Sequence, residues 1–90
     1  MNNNNNYIDS LFQGGLKKFD LKKFDEAKDI FSKILALNKD YYKAIHALGV
    51  VYGANNDHFK AIEFFLNTLN KKKNFLPSLK NLAYSYYVTK

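Results

Sequence analysis

The stretch Tyr41–Asn74, YYKAIHALGVVYGANNDHFKAIEFFLNTLNKKKN, contains two helical patterns and one break. Ile45, Leu48 and Tyr52 recur at three- and four-residue spacing. Ala61, Ile62, Phe65 and Leu69 do the same, which is the period of a helix with one apolar side. Between them Asn55 to Asp57 is a short run of turn-forming residues. Two helices joined by so short a link pack antiparallel. No segment of useful length alternates with period two, so strands have no support.

Working outward, the whole chain overlays itself when shifted by 34 residues. Leu11, Ile45 and Leu79 align, as do Gly15, Gly49 and Ala83, all small. Ala27 meets Ala61, Ile30 meets Phe64, Phe31 meets Phe65, Leu35 meets Leu69, Leu48 meets Leu82 and Tyr52 meets Tyr86. Asn6, Asp40 and Asn74 share the spacing, and each is a residue type that caps a helix N-terminus. The pattern predicts five helices, at about 7–20, 24–37, 41–54, 58–71 and 75–89. Pro77 would sit in the first turn of the last one, where its missing N–H is harmless. The predicted organisation is a disordered Asn-rich tail over 1–5 and a single domain over 6–90. That domain divides into repeats 8–41 and 42–75 and a C-terminal capping helix over 76–90. The capping helix is expected to cover the second repeat with Leu79, Leu82, Ala83 and Tyr86. Asn81, Ser85 and Thr89 would form its solvent stripe, which would make Lys90 a natural end.

A 34-residue helix–turn–helix period with small residues at Gly15, Gly49 and Ala83, and with Ala27 and Ala61 in the second helices, resembles the tetratricopeptide repeat (TPR). The large apolar residues Ile45, Leu48, Tyr52, Phe65 and Leu69 fit its pattern, as do Leu11, Phe24, Phe31 and Leu35. The resemblance covers nearly everything after Asn6. It implies an all-α fold, a right-handed α-solenoid of antiparallel helix pairs. The departures are Gly14 and Lys18 where large apolar residues are usual, His58 in place of an aromatic, and Lys39 and Lys73 in place of Pro. Adjacent Gly14 and Gly15 should make the first helix the loosest, since glycine costs about 1 kcal/mol in a helix relative to alanine.

Composition narrows the function. The chain has 90 residues, 47% hydrophobic and 17% aromatic, too apolar for a disordered chain. Its +6 charge comes from 14 lysines with no arginine, whereas nucleic-acid readers favour the arginine fork. Lys17, Lys18, Lys22 and Lys23 surround one turn and Lys71, Lys72 and Lys73 another, at opposite ends of a helical layer. A nucleic-acid interface is therefore disfavoured. The N-terminus lacks the basic and apolar regions of a secretory signal, and no apolar run is long enough for a membrane span. The cytoplasm is the default location.

No catalytic constellation is visible. Cysteine is absent, His46 and His58 fall in different helices, and Gly14-Gly15-Leu16-Lys17 lacks phosphate-loop spacing. Asp25, Glu26 and Asp29 suit a helix N-terminus, which accounts for them. The reading is a non-enzyme with no cofactor and no metal.

The resemblance also implies a site. In the family the first helix of each repeat lines a concave groove. The matching positions here are Asp9, Phe12, Leu16, Phe19 and Asp20, then Lys43, His46, Val50, Gly53 and Ala54, then Pro77, Lys80, Tyr84, Tyr87 and Val88. The partner-binding set is Phe12, Leu16, Phe19, Lys43, His46, Val50, Lys80, Tyr84 and Tyr87. Phe12, Phe19, Tyr84 and Tyr87 would be exposed aromatics, a common mark of a partner. The family's chaperone-tail clamp requires basic and amide side chains where this chain has Phe12, Leu16, Ala47, Pro77 and Asn81. That ligand is not expected. The expectation is a protein-interaction module that takes an apolar, partly acidic protein or peptide segment in the groove. The alternative is self-association into a homodimer.

Overall fold

A computed structural model describes residues 3–90, with side chains from Asn6 onward. Among the described residues there are five helices and no strand. They are α1 (Asn3–Asp20), α2 (Phe24–Leu37), α3 (Tyr42–Ala54), α4 (His58–Lys71) and α5 (Leu76–Thr89). Each packs on its neighbours in the chain, giving an all-α, TPR-like helical repeat of 47 × 29 × 18 Å. None is long and apolar enough to cross a membrane.

The apolar stripes account for the packing. Ile8, Ala27, Phe31, Ile34, Ala44, Leu48 and Val51 form one core, and Ala61 and Phe65 extend burial along α4. Two glycines set the distance between paired helices. A Cβ at Gly49 would stand 2.6 Å from Phe65 Cε1, and one at Gly15 would lie closer still to Phe31 Cε1. The rings of Phe31 and Phe65 thus lie against bare backbone, as the family pattern implies.

The turns repeat as faithfully as the helices. Lys22 and Asn56, 34 residues apart, both adopt left-handed backbone, with φ of 61° and 65°. Lys22 N–H donates to Phe19 C=O and Lys23 N–H to Lys18 C=O, each at 2.9 Å. Asn56 N–H donates to Gly53 C=O and Asp57 N–H to Tyr52 C=O, also at 2.9 Å. These paired bonds are the Schellman closure of a helix C-terminus.

Helix starts differ from expectation. α1 runs back to Asn3, so Asn6 lies inside it and caps nothing. Of the tail expected over 1–5, Met1 and Asn2 lie outside the described residues, and Asn3–Asn5 are helical. A helix already anchored by Ile8 gains a hydrogen bond for each residue added, which outweighs the weak propensity of asparagine. α3 and α5 follow Tyr41 and Phe75, without a side-chain cap from Asp40 or Asn74. Asp40 instead pairs with Lys71 Nζ at 2.7 Å, and that ammonium holds its carboxyl below the usual range. The side-chain cap of α4 is Asp57, which accepts from Lys60 N–H at 3.2 Å.

The last helix packs the opposite way from expectation. Ser78 and Ser85 are buried, Asn81 and Thr89 are half-buried, and Leu79, Ala83 and Tyr86 are exposed. Of the expected covering set only Leu82 is half-buried. The reason lies in the repeat. α5 repeats the orientation of α3, whose Ile45, Gly49 and Tyr52 face α4, so the matching stripe of α5 faces away from the molecule.

Candidate functional site

The first helices of the repeats, α1, α3 and α5, carry the expected groove residues. Phe12, Leu16 and Phe19 from α1 meet His46, Ala47 and Val50 from α3 around an apolar cavity of about 160 Å³. Phe31 forms its base. A second cavity of about 220 Å³ shares Phe19 and Val50 with the first. It continues past Gly49, Gly53 and Ala54 to His58, Tyr84, Asn81 and Ser85. Glycine and alanine on α3 leave the room, and aromatic side chains on α1 and α5 form the walls.

Phe12 and Phe19 are not the free aromatics that the sequence suggested. Phe12 packs on Phe31 and Tyr41, with ring centroids 5.7 and 5.6 Å away, and Phe19 on Phe24 at 5.3 Å. Each is half-buried and offers only part of its ring to the cavity. In so small a domain the core draws in rings that a longer array would leave free. Tyr84 and Tyr87 are exposed, at 59% and 70%. Tyr84 lines the second cavity, with its ring 5.9 Å from that of His58. Tyr87 lines neither, and Lys90 Nζ lies 5.8 Å from its ring.

His46 has two roles. Its Nδ1 lies 2.7 Å from Ser78 Oγ, and its ring packs edge-on to Phe75 and tilted against Phe65. It thus joins α3 to α5 while another part of the ring reaches the first cavity. Burial holds its pKa down at about 4, so the ring is neutral at pH 7. It therefore adds no positive charge to the groove at that pH.

The lysines stand outside the cavities. Lys43 borders a hollow with Asp9, Asp40 and Tyr41, and Lys80 one with Leu76, Pro77 and Asn81. Asp9 accepts a hydrogen bond of 2.9 Å from Tyr41 Oη. Burial first, and the Asp9 carboxylate second, push Tyr41 up to about 12, so it stays a donor.

Sequence reasoning missed Asn81, Ser85 and the Nδ1 of His58. The last is buried without a hydrogen-bond partner and belongs to a residue that lines the second cavity. The signal that could have found Ser85 is the repeat, since Ser78, Asn81 and Ser85 match Ala44, Ala47 and Val51, all buried on α3. Among the described residues no three His, Cys, Asp or Glu side chains cluster to hold a metal.

No family model matches the chain, and no curated protein does. Solved structures do. Two crystal structures of MamA match it. One aligns with a TM-score of 0.86 at 27% identity over 91% of this chain, the other with 0.83 at 28% over 89%. The chain spans less than half the length of these proteins, 48% of one and 44% of the other. A likeness of that quality, together with the 34-residue period, fits a TPR-like helical repeat.

Proposed function

We propose that this chain is a protein-interaction module whose groove takes a segment of a partner protein. The observation that supports this reading most is the pair of adjoining cavities that share Phe19 and Val50. They are apolar, open to solvent, and sized for one or two side chains each. A segment with two apolar side chains a few residues apart would seat one in each. Acidic groups at its ends would meet Lys43 or Lys80, the lysines bordering the groove. The likeness to MamA supports a scaffold or interaction role through the fold, and the partner would be set by the groove side chains.

The test is affinity capture with wild-type protein and with a Tyr84→Ala, Val50→Asp double variant, matched for circular dichroism and thermal midpoint. Proteins retained by the wild type and lost by the variant support the groove. Identical capture by both removes it.

A further inference from the structure

The outward face of α5 is bare. Leu76, Leu79, Ala83 and Tyr86 fall on one stripe of the helix, and all four are exposed. The internal repeat shows what normally covers such a stripe. Counting back 34 residues gives Tyr42, Ile45, Gly49 and Tyr52 on α3. Counting back 34 more gives Ile8, Leu11, Gly15 and Lys18 on α1. All eight of these residues are buried or half-buried; Gly15 lies against Phe31 of α2, Gly49 against Phe65 of α4, and Tyr52 stacks on Phe64 of α4. Only the third copy of the stripe lacks a helix above it among the described residues.

Two features define the missing helix. The first is charge. After Glu63 the sequence holds no Asp or Glu, but it holds Lys71, Lys72, Lys73, Lys80 and Lys90. Lys71 is paired with Asp40, and the others flank or lie on α5. Where α2 crosses α1, Glu26 meets Lys18 at 2.8 Å, an example of the pairing such a crossing permits. A second copy of α5 laid antiparallel on the first would bring lysines toward lysines. The second feature is shape. Gly15 and Gly49 admit the rings of Phe31 and Phe65, but Ala83 carries a methyl group at that point. The covering helix must offer a side chain smaller than phenylalanine there.

We infer that the outward stripe of α5 docks an acidic amphipathic helix of a partner protein. The helix lies antiparallel to α5, with an aliphatic residue over Ala83 and carboxylates toward Lys90 at the C-terminal end of the stripe. This surface is separate from the groove and does not depend on the groove reading.

The probe is a synthetic peptide of residues 24–37 carrying Phe31→Leu, titrated into the isotope-labelled full chain. Saturable shifts at the amides of Leu79, Ala83 and Tyr86 are expected. A Leu79→Glu, Tyr86→Glu variant should weaken binding at least tenfold, and Tyr84→Ala, on the groove side of α5, should leave it unchanged. The peptide retaining phenylalanine, and one with Asp25, Glu26 and Asp29 changed to lysine, should each bind less tightly. The inference is overturned by absence of saturable binding or by shifts confined to α1 or the groove. Equal binding of the lysine peptide overturns it too, as does a dimer of the free chain that Leu79→Glu dissolves.

Discussion

A methyl group added to either of the adjacent glycines of α1 meets different surroundings. At Gly14 nothing lies within 4 Å, whereas at Gly15 the Phe31 ring is in the way. Gly14→Ala should therefore stabilise the protein by about 1 kcal/mol, the usual helix-interior difference. Gly15→Ala and Gly49→Ala should destabilise it by about 1–3 kcal/mol through overpacking. Urea unfolding of the three variants checks both signs. The sequence marked Gly14 and Gly15 together as weak points. Only the structure separates a replaceable glycine from a required one, because the difference depends on where a ring from another helix lands. His46 makes a second prediction at this scale. Its pKa falls from an ordinary 6.5 to about 4 on folding, so below pH 6.5 the unfolded chain binds the proton and the native one does not. Its contribution to stability is complete above that pH and shrinks as pH falls toward 4. The urea midpoint should drop over that interval, and His46→Gln should flatten the drop.

Helix ends show how far element boundaries were legible. The ends at Asp20, Leu37, Ala54 and Lys71 agree with the periodicity, because polar breaks follow each apolar run. The caps do not follow residue type. Asp40 and Asn74 looked like N-caps, but Asp40 is drawn to Lys71, a contact between segments that local sequence does not reveal. Asp57→Ala should lower stability by about 1 kcal/mol, the ordinary value of an N-cap, and Asn74→Ala should leave it nearly unchanged. The same denaturation assay separates them. Lys22 belongs here too, since its left-handed backbone costs a non-glycine residue roughly 1 kcal/mol. Lys22→Gly should recover part of that, tempered by the greater entropy of glycine when unfolded. The register of α5 was misread because Leu79, Ala83 and Tyr86 look like a core stripe, which they are by pattern but not by contact.

Across the whole molecule each helix relies on its chain neighbours, as in other repeat arrays. The middle of the array, α3 and α4, holds Ile45, Leu48, Val51, Ala61 and Phe65 in the interior. α5 fully buries only Ser78 and Ser85. Amide exchange should therefore be slowest in α3 and fastest, among the helices, in α5 and not in α1, where the glycine pair alone would put it, because Ile8 anchors α1 in the core. A bound helix on the outward stripe of α5 should slow its exchange selectively, which mass spectrometry of peptic fragments would register. That Phe19, Val50 and Tyr84 would line one cavity was legible in outline because they follow repeat positions. The division of the groove into two cavities, and the diversion of Phe12 and Phe19 into the core, came from packing in three dimensions.

The glycine–phenylalanine fit recurs at Gly15 with Phe31 and at Gly49 with Phe65, and one lock that accepts either key has a cost during folding. α4 can be offered to α1 and α2 to α3 with no steric objection at that point, within one chain or between two. Arrays built this way are prone to exchange of identical parts. What distinguishes the correct partners is the contacts that do not repeat: Lys18 with Glu26, Asp9 with Tyr41, Asp40 with Lys71 and His46 with Ser78. These modest polar pairs act as address labels, because an exchanged pairing would leave them unmade.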